Sequence, residues 1–82
     1  MPVIFSFFGL RFMFFSNDHE PIHVHVVKGK GNLDESAVFQ VYPEVELKGN
    51  HGLKLSELKM AEALIEENKD TIIENWKLFF KK

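Results

Sequence analysis

The residues Asn-Asp-His-Glu-Pro-Ile-His-Val-His-Val at positions 17–26 decide how the rest of the chain is interpreted. From Ile22 onwards apolar and polar residues alternate, which is the period of a β-strand with side chains on both faces of a sheet. His23 and His25 are therefore predicted to share one face, and the isoleucine and valines the other. Asp18 falls in the turn that precedes this strand. A chemical site, where the chain has one, is expected here.

Two apolar runs precede this stretch, Val3–Phe8 and Leu10–Phe15, and Gly9 separates them. Both are rich in β-branched and aromatic residues, which favours strands. The two runs form either a hairpin that turns at Gly9 or one long strand bent there by a bulge. In the second run both alternating faces are largely apolar, which is typical of a central strand or one covered by helices.

The histidine strand is predicted to run to Val27 and to be followed by further short strands. The remaining pattern is a glycine-rich hairpin tip at 28–32, a strand at 36–41, a short strand at 45–47 and a loop at 49–52. The connections are too short for parallel crossovers, so the strands pair mainly antiparallel. The sheet therefore has four or five strands.

From Leu53 the period of the apolar residues changes to three and four, which predicts helices. Asn68 interrupts the pattern, and we interpret it as the junction of two helices and the N-cap of the second, with Asp70 in its first turn. The prediction is one α+β domain over residues 1–82, β-rich in 1–52 and helical in 53–82. A four- or five-stranded, mainly antiparallel sheet is followed by two C-terminal helices packed on it.

The composition limits the classes of function. The chain has 82 residues, a net charge of −2 and no cysteine. Disulfides and thiolate metal sites are excluded, in agreement with a cytoplasmic location. The charge does not favour nucleic acid as a partner. The apolar N-terminal run lacks the features of a signal peptide and is shorter than the ~20 residues of a membrane helix, so no membrane association is expected.

The histidine stretch supports a metal hypothesis. Two histidines in a His-x-His strand have backbone positions about 6.5–7 Å apart, which is compatible with chelation of a divalent ion such as zinc. His23 and His25 are the first two candidate ligands, with Asp18 nearby. His19 or Glu20 would complete an open site of the catalytic type. No other cofactor is expected.

The same residues support metal-free acid–base catalysis of ester or phosphodiester hydrolysis, with His19, His23 and His25 as the candidate catalytic residues. Asp18, Arg11 and Lys28 are candidate binding residues, the two cations because they could stabilise a developing anion. No nucleophile motif or phosphate-binding loop accompanies them. A purely structural interpretation stays open beside both hypotheses: the histidines form a polar sheet face, and the aspartate caps a turn.

The chain resembles a widespread bacterial family of small domains of unknown function. The resemblance lies in the opening Phe-Phe-Gly strand, in the Asp18-to-His25 stretch, which is similar to an Asp-His-x-Pro-Pro-His-x-His signature, and in Ile-Ile-Glu-Asn-Trp at 72–76. Ile22 stands where the family has its second proline. The resemblance implies a component of a toxin–antitoxin-type gene pair, and it implies no catalytic residues.

Two functions are therefore carried forward from the sequence. The first is an interaction module of a toxin–antitoxin-type pair, because uncovered phenylalanines in so short a chain favour a protein partner or a homodimer. The second is a small histidine-dependent hydrolase or ribonuclease that uses the Asp18–His25 cluster, with or without a metal ion.

Overall fold

Five strands pair in the order in which they follow one another along the chain, and two helices follow them. The computed structural model describes residues 3–15, 18–19, 21–29 and 35–80. The elements are β1 (Val3–Phe7), β2 (Leu10–Met13), β3 (His23–Lys28), β4 (Ser36–Gln40), β5 (Glu46–His51), α1 (Leu55–Glu67) and α2 (Lys69–Phe79). All four neighbouring strand pairs are antiparallel. The predicted α+β fold is confirmed, with five strands.

Phe8 and Gly9 form a two-residue hairpin turn between β1 and β2, which decides between the two alternatives at Gly9. Their φ angles are 50° and 77°, and a turn with two positive φ angles matches the right-handed twist of the paired strands. Glycine adopts this conformation freely, whereas a bulky residue such as Phe8 loses on the order of 1 kcal/mol there. A register shift does occur in this hairpin, but between Val3 and Phe5 within β1.

The predicted loop at 49–52 is wrong, because β5 continues to His51. Pairing with β4 holds Gly49 opposite Val38 and Asn50 opposite Ala37, which outweighs the low strand propensity of glycine and asparagine. The Asn50 side chain accepts from the Leu53 N–H at 3.0 Å and donates to the Leu53 carbonyl at 3.1 Å. These two bonds guide the chain from the sheet into α1.

The helices meet at Asn68, which is the N-cap residue of α2 as predicted, but its side chain makes no capping hydrogen bond to α2. Its amide nitrogen donates to the carbonyl of Leu64 at 2.8 Å, so it satisfies the end of α1 instead. Asp70 does lie in the first turn of α2. At the start of α1, the Lys54 N–H donates to the Glu57 carboxylate at 2.8 Å, which satisfies a backbone donor beside the first turn.

The main core lies between one face of the sheet and the helices. Its buried members are Leu10, Phe12, Phe14, Ile22, Val24, Val26, Ala37, Phe39, Val41, Leu53, Ala61, Ile65, Ile72 and Trp76. The Phe5 ring stacks on that of Phe12 at 4.5 Å, so β1 adds to this layer. No helix within the described residues is long and apolar enough to cross a membrane.

The opposite face of the sheet is mixed in character. Met13 and Val27 are buried there but lie outside the core cluster. The prediction that both faces of the second strand are largely apolar is thus confirmed at its centre, where Phe12 and Met13 are buried on opposite sides. Arg11 on the same mixed face is exposed. His23 and His25 also belong to this face, so the candidate site lies on the side of β3 opposite the buried Val24 and Val26.

Candidate metal centre

The alternation along β3 places two histidines side by side. Val24 and Val26 are fully buried in the core, whereas His23 and His25 are partly exposed on the opposite face. Their rings are 5.1 Å apart between centroids. The prediction from the period of two is confirmed, because consecutive side chains in a strand point to opposite faces.

Two hydrogen bonds to Phe15 hold Asp18 beside these histidines. The Asp18 N–H donates to the Phe15 carbonyl at 3.0 Å, and the Phe15 N–H donates in return to Asp18 Oδ2 at 2.8 Å. The two reciprocal bonds fix both the backbone and the side chain of Asp18. Only 9% of the carboxylate side chain is exposed.

Both imidazoles contact the carboxylate of Asp18, and His25 Nε2 lies 3.1 Å from each of its two oxygens. His25 Nε2 lies 3.1 Å from Asp18 Oδ1, and His23 Nε2 lies 3.3 Å from the same atom. The ligand atoms of the three residues all lie within 4.8 Å of one another. This is the one group of three or more potential metal ligands in the part of the chain that the structure describes. We refer to Asp18, His23 and His25 as the triad.

The other ring nitrogen of His23 sets the tautomer of its imidazole. Nδ1 lies 2.8 Å from the carbonyl oxygen of Pro21, and because a carbonyl only accepts, Nδ1 carries the proton in this bond. In neutral His23 the Nε2 atom therefore holds a lone pair. That lone pair faces Asp18 Oδ1, which is itself an acceptor.

Aromatic rings enclose the triad on two sides. The Phe15 ring lies 4.2 Å from that of His25, and the Trp76 ring lies 5.3 Å from that of His23. Trp76 lies on α2 and, at 4% exposure, belongs to the core. Its contact with His23 was not predicted, because periodicity along α2 carries no information about which strand residue the ring meets.

The carboxylate of Asp18 is stabilised in its ionised form. Burial raises the pKa of this group, but the hydrogen bonds from the Phe15 N–H and from His25, with the nearby histidine charges, outweigh that effect. The resulting pKa lies below its ordinary value of 3.8. Asp18 is therefore a negatively charged potential ligand near neutral pH.

The remaining predicted site residues lie elsewhere. His19 is exposed and contributes no atom to the group of potential metal ligands found among the described residues. Lys28 points towards α1, where its ammonium pairs with the Glu57 carboxylate at 2.9 Å. Arg11 lines a shallow hollow of about 380 Å³ beside the β1–β2 turn. Glu20 lies outside the described residues.

Comparisons with known proteins identify a family and nothing closer. No curated protein matches the chain, and no solved structure does. Residues 9–77 match the model of a domain of unknown function, DUF4160. This match spans the sheet from β2 onwards, the triad and nearly all of both helices. The chain therefore belongs to the DUF4160 family of domains of unknown function.

Proposed function

We propose that the domain binds one divalent transition-metal ion through Asp18, His23 and His25, and that it uses the ion to hydrolyse an ester or phosphodiester. The observation that carries the proposal is the 3.3 Å separation of His23 Nε2 from Asp18 Oδ1, with the other ring nitrogen of His23 bonded to the Pro21 carbonyl. Two electron-rich atoms at this distance repel each other unless a cation lies between or beside them. A proton can fill that role, and so can a metal ion.

The spacing of the donor atoms suits a small metal ion. Zinc binds histidine nitrogen and carboxylate oxygen at about 2.0–2.1 Å, so the edges of its coordination tetrahedron measure roughly 3.3–3.4 Å. The separations of His23 Nε2 and His25 Nε2 from Asp18 Oδ1 are 3.3 and 3.1 Å. All three ligand atoms lie within 4.8 Å of one another, and binding would also release the proton that His25 Nε2 donates.

Backbone contacts orient two of the proposed ligands. The second carboxylate oxygen of Asp18 accepts from the Phe15 N–H, and the second ring nitrogen of His23 donates to the Pro21 carbonyl. Contacts of this kind orient metal ligands and fix the histidine tautomer. The support comes from the chain itself and is present without an ion.

Two histidines and one carboxylate leave coordination positions open, as in catalytic zinc sites. The histidine side chains are 19% and 16% exposed, so water has access to this side of the triad. A bound ion would lower the pKa of a coordinated water and polarise an ester or phosphoryl oxygen. Lys28 and Arg11 do not converge on the triad. The ion would therefore supply the stabilisation of the developing anion.

The binding step is tested by titrating zinc into the metal-free protein and measuring heat. We expect one ion per chain, with affinity reduced at least about 100-fold in Asp18→Asn and in His25→Gln, since losing a ligand costs no less than losing an outer contact. His51→Gln is the matched control, because His51 is exposed on β5, outside the triad. Equal zinc affinity in His25→Gln and His51→Gln would refute the site.

The hydrolytic step needs a separate measurement. The zinc-loaded protein is assayed with bis(4-nitrophenyl) phosphate and with 4-nitrophenyl acetate. Turnover that is lost in Asp18→Asn and kept in His51→Gln supports hydrolysis at the triad. Stoichiometric zinc binding without turnover of either probe would support a metal-binding domain and refute the proposed hydrolase activity.

A second function, an interaction module of a toxin–antitoxin-type pair, is favoured by a different region. Phe7 and Phe8 at the β1–β2 turn are 47% and 71% exposed, and their rings lie 4.2 Å apart. Exposed aromatic pairs are typical of protein-binding surfaces. Co-expression with the products of the flanking genes should give a complex that Phe8→Ser weakens. Recovery of the same complex with Phe8→Ser would count against this surface.

A further inference from the structure

The two edge strands of the sheet differ in their protection against pairing with another strand. β5 carries the exposed ion pair of Glu46 and Lys48, whose charged atoms lie 3.3 Å apart, and Lys48 lies at a register shift. Charges and bulges on an edge strand discourage further strand addition. β1 has the sequence Val-Ile-Phe-Ser-Phe and carries no charge. In the part of the chain that the structure describes, it pairs with β2 alone.

Hydrogen-bonding groups of β1 are directed outwards at Ser6. Phe7 and Leu10 flank the two-residue turn and so form a hydrogen-bonded pair. In an antiparallel ladder such pairs alternate with pairs that exchange no bonds, so Ser6 opposite Arg11 is of the second kind. The N–H and C=O of Ser6 therefore point away from β2, and the residue is exposed.

We infer that β1 pairs with β1 of a second copy of this chain, antiparallel and centred on Ser6. This register lets the two Ser6 backbones exchange hydrogen bonds across a twofold axis. It places Phe5 of each copy opposite Phe7 of the other, an aromatic cross-strand pair that stabilises antiparallel sheets. The paired strand segments are uncharged, so no like charges are brought together within the ladder. The result is a continuous ten-stranded sheet.

The exposed ring of Phe7 supports a second copy as the occupant. Phe7 is 47% exposed although it lies on the same side of β1 as the half-buried Phe5. In the proposed register Phe7 is covered by Phe5 of the second copy. One symmetric contact thus covers the Phe7 rings of both copies. It is independent of the triad, which lies in β3 and the turn before it.

Engineered cysteines test the register directly, because the chain has no cysteine and any disulfide must join two copies. In the proposed pair the two Ser6 Cα atoms lie about 5.5 Å apart, within the range that a disulfide spans. Under mild oxidation Ser6→Cys should cross-link at least ten times faster than Ser56→Cys, a control on the exposed side of α1. Equal rates for the two variants would overturn the inference.

Sedimentation tests the assembly without cross-linking. The wild-type chain and Ser6→Thr are expected at twice the monomer mass of 9.6 kDa, and Ser6→Pro at the monomer mass. Proline removes the outward N–H but none that β2 uses, whereas threonine keeps the backbone intact. A wild-type chain that stays monomeric from micromolar to millimolar concentrations would overturn the inference. Binding of a strand of another protein to β1 would not rescue it. If Ser6→Pro does not fold, hydrogen exchange of the wild-type Ser6 amide decides: protection that disappears on dilution supports the dimer, and concentration-independent exchange refutes it.

Discussion

The two faces of β3 are built on different physical principles. On one face Val24 and Val26 are completely buried among apolar side chains. On the other, His23 and His25 meet the carboxylate of Asp18 through contacts of 3.1–3.3 Å. Hydrophobic packing is non-directional and depends on buried area, whereas the polar contacts require particular atoms at particular distances.

Stability and ion binding therefore depend on opposite faces of the same six-residue strand, β3. The apolar face anchors β3 in the core and tolerates changes that conserve volume. The polar face positions three potential ligands, and it depends on a turn that is held by two hydrogen bonds between Phe15 and Asp18. Substitutions on the first face are expected to change the free energy of unfolding, and those on the second chiefly to change ion binding.

The largest effect is expected from truncating the core face. Phe39 lies opposite Val24 on β4 and is 1% exposed. Phe39→Ala should lower the free energy of unfolding by about 3–5 kcal/mol, because it removes buried apolar contacts and leaves a cavity. Urea denaturation measures the change. Leu78→Ala, at a residue that is 71% exposed, is the control and should change it by less than about 0.5 kcal/mol.

A smaller effect is expected on the polar face. In metal-free protein at pH 7, Asp18→Asn should cost about 1–3 kcal/mol, since it weakens charge-assisted hydrogen bonds to a largely buried group. Because folding lowers the pKa of Asp18, this contribution is complete above the ordinary value of 3.8 and is lost as pH falls through the lower folded value. The difference in urea midpoint between wild type and Asp18→Asn should therefore shrink below about pH 4. A difference that stays constant down to pH 2 would contradict the assignment.

The smallest effect is expected from removing the charge of Lys28, at the edge of the sheet face that packs on the helices. Lys28 pairs with Glu57 at 2.9 Å, which raises the pKa of the lysine. The pKa of the glutamate is lowered by the hydrogen bond from the Lys54 N–H and, next, by the pair with Lys28. Both groups are in contact with solvent, so Lys28→Gln should shift the urea midpoint less than either change above. The shift should vanish in roughly 1 M salt, where charges are screened within about 3 Å. A shift that persists in high salt would show that packing of the lysine stem matters more than its charge.

The pattern of residues in the sequence was sufficient to predict much of this architecture. Alternation along β3, the change of period after Leu53 and the break at Asn68 each reflect a local geometric requirement, and all three were confirmed by the structure. The extension of β5 through Gly49 and Asn50 was missed because pairing with β4 creates it against local preference. Asn68 is the N-cap residue of α2 as predicted, but its side chain bonds to the end of α1, because an asparagine amide can satisfy either terminus.

For the candidate site, the sequence by itself determined that His23 and His25 share a face, because the two-residue period of a strand is a property of the backbone. Only the tertiary structure decided which neighbour joins them. The turn at Phe15 brings Asp18 within 3.3 Å of both rings, while His19, one residue further along, is left outside the group of donor atoms. Pairing of β2, β3 and β4 also separated Lys28 and Arg11 from the triad. Proximity along the chain sets which groups can meet, and the direction of each side chain in the folded sheet sets which of them do.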